Sequence, residues 1–349
     1  MDLADTIICY QSRFREQFSG RITNAQESAL NAIIGCRSGQ YGEILLHCSS
    51  CHADESRLQS CGHRSCHRCQ NHDTTRWLDR QREKLLPVEY FMATFTLPYE
   101  CRALAWHNQK LVYQLLFQCA TSTLKDFGIN DKKLGADLGM TAVLHTHSRR
   151  LDYHPHIHIV VPGGCLDKKR KQWKKLQGKY LFNSFALAKV FRARFLDALE
   201  KEGIDLPDNI PPSWVVNCQH VGRGEPALKY LSRYLYRGVI SENNIIQDDG
   251  THITFRYKES STGVFKTRRV KGEMFLWLIL QHALPKGFRR VRDYGFLHGN
   301  AKRILEVIQR VLRVVVTVNV NQERPSFICK QCKQPISIVG FRKPKINPG

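Results

Sequence analysis

Asp152-Tyr153-His154-Pro155-His156-Ile157-His158-Ile159-Val160-Val161 is the stretch that decides the fold. A histidine-hydrophobic-histidine step runs into β-branched residues and closes on Pro162-Gly163-Gly164, the pattern of a strand that ends in a turn. Strand side chains alternate faces, so His156 and His158 point the same way with neighbouring imidazoles, an arrangement suited to one divalent metal. Upstream, Tyr90 to Leu97 predicts a buried strand after the break at Pro87, Arg102 to Phe127 a long helix, and Met140 to His147 a strand that turns into the histidine strand. Downstream, Phe185 to Leu199 has the spacing of an amphipathic helix and Trp214 to His220 that of another strand. Strands with intervening helices predict an α+β sheet.

The chain has 349 residues, enough for two or three domains, and its 42% apolar content is sufficient for real cores. Against 31 acidic residues stand 53 lysines and arginines, a formal charge of +22 that suits a polyanionic partner, nucleic acid first. The main apolar run, Met274 to Leu280, is too short to cross a bilayer, and the start Met1-Asp2-Leu3-Ala4-Asp5 is not that of a signal peptide. These features predict a cytoplasmic protein with no membrane partner. In a reducing compartment, 13 cysteines, an odd number, are expected to be metal ligands and buried thiols rather than a disulfide framework.

Thr23 to Ile34 predicts a short capped helix, and a cysteine cluster follows: Cys48-x2-Cys51-x9-Cys61-x-His63-x2-Cys66-x2-Cys69. Two such knuckles suit a tetrahedral structural zinc site, for which the simplest ligand set is Cys48, Cys51, Cys66 and Cys69. Cys61 or His63 can substitute for one of these, or belong to a second site. Arg64, Arg68 and Arg76 lie among or just after the ligands, where they either touch phosphates or solubilise. Near the C-terminus Cys329-x2-Cys332 has knuckle spacing but no second knuckle after it, and the basic tail from Phe341 to Lys345 is expected to be poorly ordered.

Two further segments carry cations. Lys168 to Lys175 interleaves Trp173 with a basic run, so Lys174 and Lys175 are expected to hold a phosphate backbone with a base stacked on Trp173, unless the run is simply a solvated loop. Between Gly222 and Gly238, with Pro226 at a first-turn position, a helix is predicted. It places Tyr230 and Tyr234 on one face, beside a stripe of Lys229, Arg233 and Arg237. A tyrosine hydroxyl can attack phosphorus and remain attached as an aryl ester, and a metal on the scissile phosphate offsets the developing charge.

His145-Thr146-His147 with His154 to His158, the tyrosine run from Lys229 to Gly238, the downstream Leu284 to Arg292 with Tyr294-Gly295-Phe296, and the knuckle from Ser60 to Gln70 together resemble the two-tyrosine HUH transposases of the insertion sequence ninety-one family, over roughly residues 20 to 310. The resemblance implies a ferredoxin-like HUH endonuclease sheet with helices, preceded by a small zinc-binding domain. It also implies cutting and joining of single-stranded DNA at element ends and target by a rolling-circle route, through 5′-phosphotyrosine links, in a bacterial cytoplasm at the nucleoid. The working ion would be Mg²⁺ or Mn²⁺, with Zn²⁺ structural. As third metal ligand the family motif favours His145 over His147, while His154 lies too far along the strand from His158. The expected division is 1–86 for an N-terminal helical and zinc-binding domain, 87–300 for the nuclease, and 301–349 for a C-terminal helix and basic tail.

A non-catalytic zinc-ribbon DNA-binding protein, a repressor or replication accessory, is the alternative. It explains charge and cysteines but leaves the histidine strand and the tyrosines idle. Neither the HExxH pattern of zinc hydrolases, nor that of deaminases, nor a GxxxxGK[ST] phosphate loop occurs.

Overall fold

A computed structural model describes residues 2–167, 169–226, 228–229, 232, 239–259, 262–314 and 327–344, with the backbone alone for 70–74. Two helices lead, α1 (Leu3–Gln17) and α2 (Asn24–Gly35). The second starts with a capping box between Thr23 and Gln26, as its sequence predicts. A hairpin follows, β1 (Glu43–His47) and β2 (Asp54–Leu58), then α3 (Gln70–Arg82) and the strand β3 (Glu89–Thr96). The predicted long helix is two, α4 (Cys101–His107) and α5 (Gln109–Asn130), because Asn108 at φ −121° and ψ 39° leaves the helical region. Next come β4 (Met140–His147), β5 (Tyr153–Pro162), the small hairpin β6 (Gly164–Asp167) with β7 (Gln172–Lys175), α6 (Ser184–Lys201) and β8 (Val216–Arg223). Beyond the tyrosine segment lie β9 (Ile245–Asp248), β10 (His252–Lys258), β11 (Phe265–Lys271), α7 (Gly272–Leu280), β12 (Val291–Tyr294) and α8 (Lys302–Val311). The hairpin β13 (Phe327–Ile328) with β14 (Pro335–Arg342) ends the described chain.

Five strands make the central antiparallel sheet in the order β12-β4-β5-β3-β8, so the histidine strand is its middle member. This is the α+β sheet the sequence predicts. Alternation sorts its residues by face. Phe91, Ala93, Phe95, Ala142, Leu144, Ile157, Ile159 and Val161 pack with α5 and α6 in the largest core. On the opposite face Tyr90, Val143 and Val160 lie under Trp77, Phe296 and Ile308 at one end of the sheet, and the histidines stand beyond them at the other.

The remaining cores join distant segments. Ile7, Tyr10 and Phe14 of α1 and Leu30 and Ile33 of α2 pack with Ile253 and Phe255 of β10 and with Phe275 and Leu276 of α7. Gly272 is required there, since a Cβ on it would stand 2.0 Å from the Tyr10 ring. The tail also departs from expectation. Phe341 and Arg342 are the end of β14, which pairs antiparallel with β1, Glu43 opposite Arg342. Segments near both ends of the chain thus find partners far away in sequence. Among the described residues no helix is long and apolar enough to cross a membrane.

Candidate metal centre and cysteine sites

His145 of β4 lies directly opposite His156 of β5, and the register then shifts between His145 and His147. Each of His145, His156 and His158 offers a ring nitrogen within 4.8 Å of the others. Ring centroids are 5.1 Å apart for His145 and His156, 4.4 Å for His145 and His158, and 4.9 Å for His156 and His158. His156 Nδ1 donates to the His154 carbonyl at 2.7 Å, and His158 Nδ1 is engaged by the Thr94 hydroxyl at 2.9 Å. With Nδ1 occupied in both, Nε2 is the nitrogen left for ligation, which is how outer partners set a metal-binding tautomer.

Burial is the main cause of low basicity at all three. His156 is pushed down to about 4, and His145 and His158 fall well below the usual histidine range, helped by the neighbouring imidazoles. Neutral imidazoles are the form that binds metal, so the donor set fits one divalent cation. Two other histidines are turned to different work. Arg102 donates to His154 Nδ1 at 2.6 Å, and burial, His156 and Arg102 lower that ring to about 4. His147 stands 5.0 Å from the ring of His282, whose Nε2 bonds the Leu151 carbonyl at 3.1 Å.

The three histidines open into a cleft of about 580 Å³. Thr94 and Thr96 form its floor beside them, and Arg149, Arg256 and Lys258 supply cations. Arg256 and Lys258 share a face of β10, and this two-residue alternation was the one signal by which the sequence announced them. Of the tyrosine segment, Leu228, Lys229 and Ser232 are described. Leu228 N–H donates to the Gly224 carbonyl, and Lys229 pairs with Glu225 at 3.4 Å on the solvent side. Tyr230, Arg233, Tyr234 and Arg237 lie outside the described residues. Val239 and Ile240, which follow directly, line the histidine cleft.

Lys174 and Lys175 lie elsewhere, on β7, paired with Cys165 and Gly164. Neither is among the residues that line the histidine cleft. Lys174 Nζ is shared between Asp167 at 3.6 Å and the Leu134 carbonyl at 3.4 Å. Trp173 does not offer its ring to a base: it lies edge-on to Phe296 at 5.9 Å and over Gly164, where a Cβ would meet it at 2.5 Å.

The expected single zinc set is corrected by the structure. Cys48 and Cys51 are not grouped with Cys66 and Cys69, because the second knuckle faces α2 while the first faces the C-terminal hairpin. Cys36, Cys61, Cys66 and Cys69 form one cluster, and Cys48, Cys51, Cys329 and Cys332 another. In the first, Cys69 Sγ lies 3.5 Å from both Cys36 and Cys61. Four thiolates around zinc at about 2.3 Å stand roughly 3.8 Å apart, so the first cluster fits that ion. Cys61, an alternative ligand by sequence, belongs to it. His63 is in neither cluster, since its Nδ1 accepts the Ser65 N–H at 3.1 Å. Cys36 was missed, because it caps α2 with no cysteine at knuckle spacing.

Comparison with known proteins bears on both halves. Residues 7–97 match the family model "Transposase zinc-binding domain" and residues 139–304 match "Putative transposase". Over 331 residues the chain is 33% identical to the "Putative transposase y4qJ" of Sinorhizobium fredii (strain NBRC 101917 / NGR234), spanning 88% of this chain and 83% of that protein. The "Transposase for insertion sequence element IS801" of Pseudomonas savastanoi pv. phaseolicola is 25% identical over 302 residues, 80% of this chain and 72% of that one. Among solved structures, TrwC complexed with a 27-mer DNA overlays loosely, at a TM-score of 0.29 and 15% identity over 65% of this chain and 75% of that chain.

Proposed function

The chain belongs to the insertion sequence ninety-one family of transposases, with its N-terminal zinc-binding domain, and from that premise we propose that it cuts and joins single-stranded DNA at the ends of its element and at the target. The observation that carries the reading is a centre of three neutral histidines in a cation-lined cleft, whose lining includes Val239 and Ile240, the residues that follow the tyrosine run in sequence.

The Oη of Tyr230 or Tyr234 attacks the scissile phosphorus. A phosphorus–tyrosine oxygen bond forms, the bond from phosphorus to the 3′ oxygen breaks, the phenolic proton leaves to solvent, and the released 3′ oxygen takes one up. The products are a 5′-phosphotyrosine link and a free 3′-hydroxyl. The second tyrosine accepts another strand while the first link persists, which a rolling-circle route requires. His145, His156 and His158 would hold Mg²⁺ or Mn²⁺, which when bound supplies Lewis-acid polarisation of the phosphate. Arg149, Arg256 and Lys258 bind the flanking phosphates, with Lys229, Arg233 and Arg237 along the tyrosine segment. Cys36, Cys61, Cys66 and Cys69 hold structural Zn²⁺. The protein works on DNA in the bacterial cytoplasm, at the nucleoid.

The test is incubation with single-stranded and duplex DNA of the element ends, with Mg²⁺ or Mn²⁺ and with chelator. A covalent adduct on the single strand, lost on chelation, is expected. Duplex cleavage without an adduct would overturn the reading.

A further inference from the structure

Cys329-x2-Cys332 lies outside both matched segments, yet its turn repeats the hydrogen bonding of Cys48-x2-Cys51. After the second cysteine of each, a non-glycine residue takes the left-handed conformation, His52 at φ 59° and Lys333 at φ 61°. Its N–H donates to the carbonyl of the first cysteine, at 2.8 and 3.1 Å. The N–H of that first cysteine donates in turn to the carbonyl two residues past the second, Ala53 at 3.0 Å and Gln334 at 2.8 Å. Left-handed backbone at such residues costs about 1–2 kcal/mol, and both turns accept that cost to the same end, presenting two sulfurs on one side.

The two turns face each other where β14 pairs with β1. Cys48 Sγ is 3.5 Å from Cys332 Sγ, and Cys51 Sγ is 3.7 Å from Cys329 Sγ. These separations are far beyond a disulfide bond of about 2.05 Å and close to the roughly 3.8 Å edge of a zinc-thiolate tetrahedron. The packing points the same way. Among the described residues the buried core of this four-stranded sheet is Leu46, Cys48, Cys329 and Ile336, with Ile44, Ala53 and Phe327 partly buried against it, a small apolar core for docking hairpins from distant parts of the chain without a cross-link.

We propose that Cys48, Cys51, Cys329 and Cys332 bind a second structural zinc ion, separate from the Cys36, Cys61, Cys66 and Cys69 centre, and that it clasps the C-terminal hairpin onto the N-terminal domain. On binding, four thiols release their protons to solvent and the ion takes four sulfur donors with no change of oxidation state. The clasp is fastened at its rim by Lys330 N–H donating to Glu55 at 2.6 Å and by Arg57 donating to the Ile328 carbonyl at 2.8 Å.

Zinc per chain, measured on the full-length protein by native mass spectrometry, tests this. The wild type is expected to hold two ions and Cys329→Ser/Cys332→Ser one. A wild type holding one ion, or a double variant holding as many as the wild type, overturns it. Should the variant fail to fold, thiol alkylation of the unmutated chain, mapped by peptide, decides instead, with exposed Cys9 as the reference. Cys51 and Cys332 are expected to resist labelling and to become reactive together when a chelator strips the ion; labelling of Cys332 as fast as Cys9 in the zinc-loaded protein overturns the clasp.

Discussion

The histidines and the cysteines solve the same problem, gathering donors around an ion, from opposite starting points. His145, His156 and His158 stand on β4 and β5, neighbouring strands joined by a short turn between His147 and Tyr153, in a sheet already held by the largest core. Cys48 and Cys332 meet across 284 residues, over a sheet whose core has four buried members among the described residues. In the first region the large core holds the sheet on which the histidines stand. In the second the ion supplies what the apolar core lacks. Metal chemistry and metal architecture are therefore separable in this chain, and substitutions can pull them apart.

The largest effect belongs to the histidines. His156→Ala should reduce strand cleavage by about a hundredfold or more, the scale of losing several kcal/mol of charge stabilisation. The melting temperature and bound zinc should stay as in the wild type. If stability falls along with cleavage, the sheet depends on the ion after all and the contrast fails. Cys66→Ser should do the reverse, lowering the melting temperature and the zinc content together while each molecule that remains folded still cleaves; a zinc-free wild type that is well folded would end this half of the comparison.

A smaller effect comes from acid. His282 is wholly buried, and that burial, reinforced by Arg290, pushes it down to about 3 in the fold, against roughly 6.5 in the unfolded chain. The unfolded state therefore binds the proton first. Stability present above about pH 6.5 is lost as pH falls towards 3, by up to about 1.4 kcal/mol per pH unit from this residue. His282→Gln, which keeps a donor for the Leu151 carbonyl, should flatten that acid branch in denaturant titrations between pH 4 and 7; an unchanged slope would show that the ring is not buried neutral. The least effect is expected from Lys174→Ala/Lys175→Ala. Lys174 is already shared between Asp167 and a carbonyl and does not line the cleft, so DNA affinity should change little and its salt slope by no more than about two. A loss as large as that of Arg256→Ala would return β7 to the DNA path.

What was legible in the sequence follows the same division. Two-residue alternation is local, so β4, β5 and the shared face of His156 and His158 could be read from the residues themselves, while the choice of His145 over His147 came from the family motif. The capping box at Thr23 and the turn at Gly163-Gly164 are local too. The split between the cysteine clusters was not legible, because knuckle spacing shows which two sulfurs share a turn and nothing of which turn lies opposite. Cys48-x2-Cys51 and Cys66-x2-Cys69 are near neighbours in sequence and were paired for that reason, while the partner of the first knuckle stood at the far end. Trp173 misled in a related way: its cations are local, but the Phe296 and Gly164 that claim its ring are set by tertiary packing. The core shared by α1, α2 and α7 was hidden for the same cause, three amphipathic faces with no local mark of their partners.

The most direct measurement is the identity of the residue that carries the DNA. Full-length protein is incubated with Mg²⁺ and single-stranded DNA of the element end, the adduct is digested, and the nucleotide-bearing peptide is sequenced by mass spectrometry, with His156→Ala and Tyr230→Phe/Tyr234→Phe in parallel. The account predicts a 5′-phosphate on Tyr230 or Tyr234 in the wild type, an adduct still formed by either single Tyr→Phe variant in a one-cut assay, none from the double variant, and about a hundredfold less or lower from His156→Ala. An adduct mapped to Tyr236 or any other residue, or one formed undiminished by His156→Ala, would contradict it.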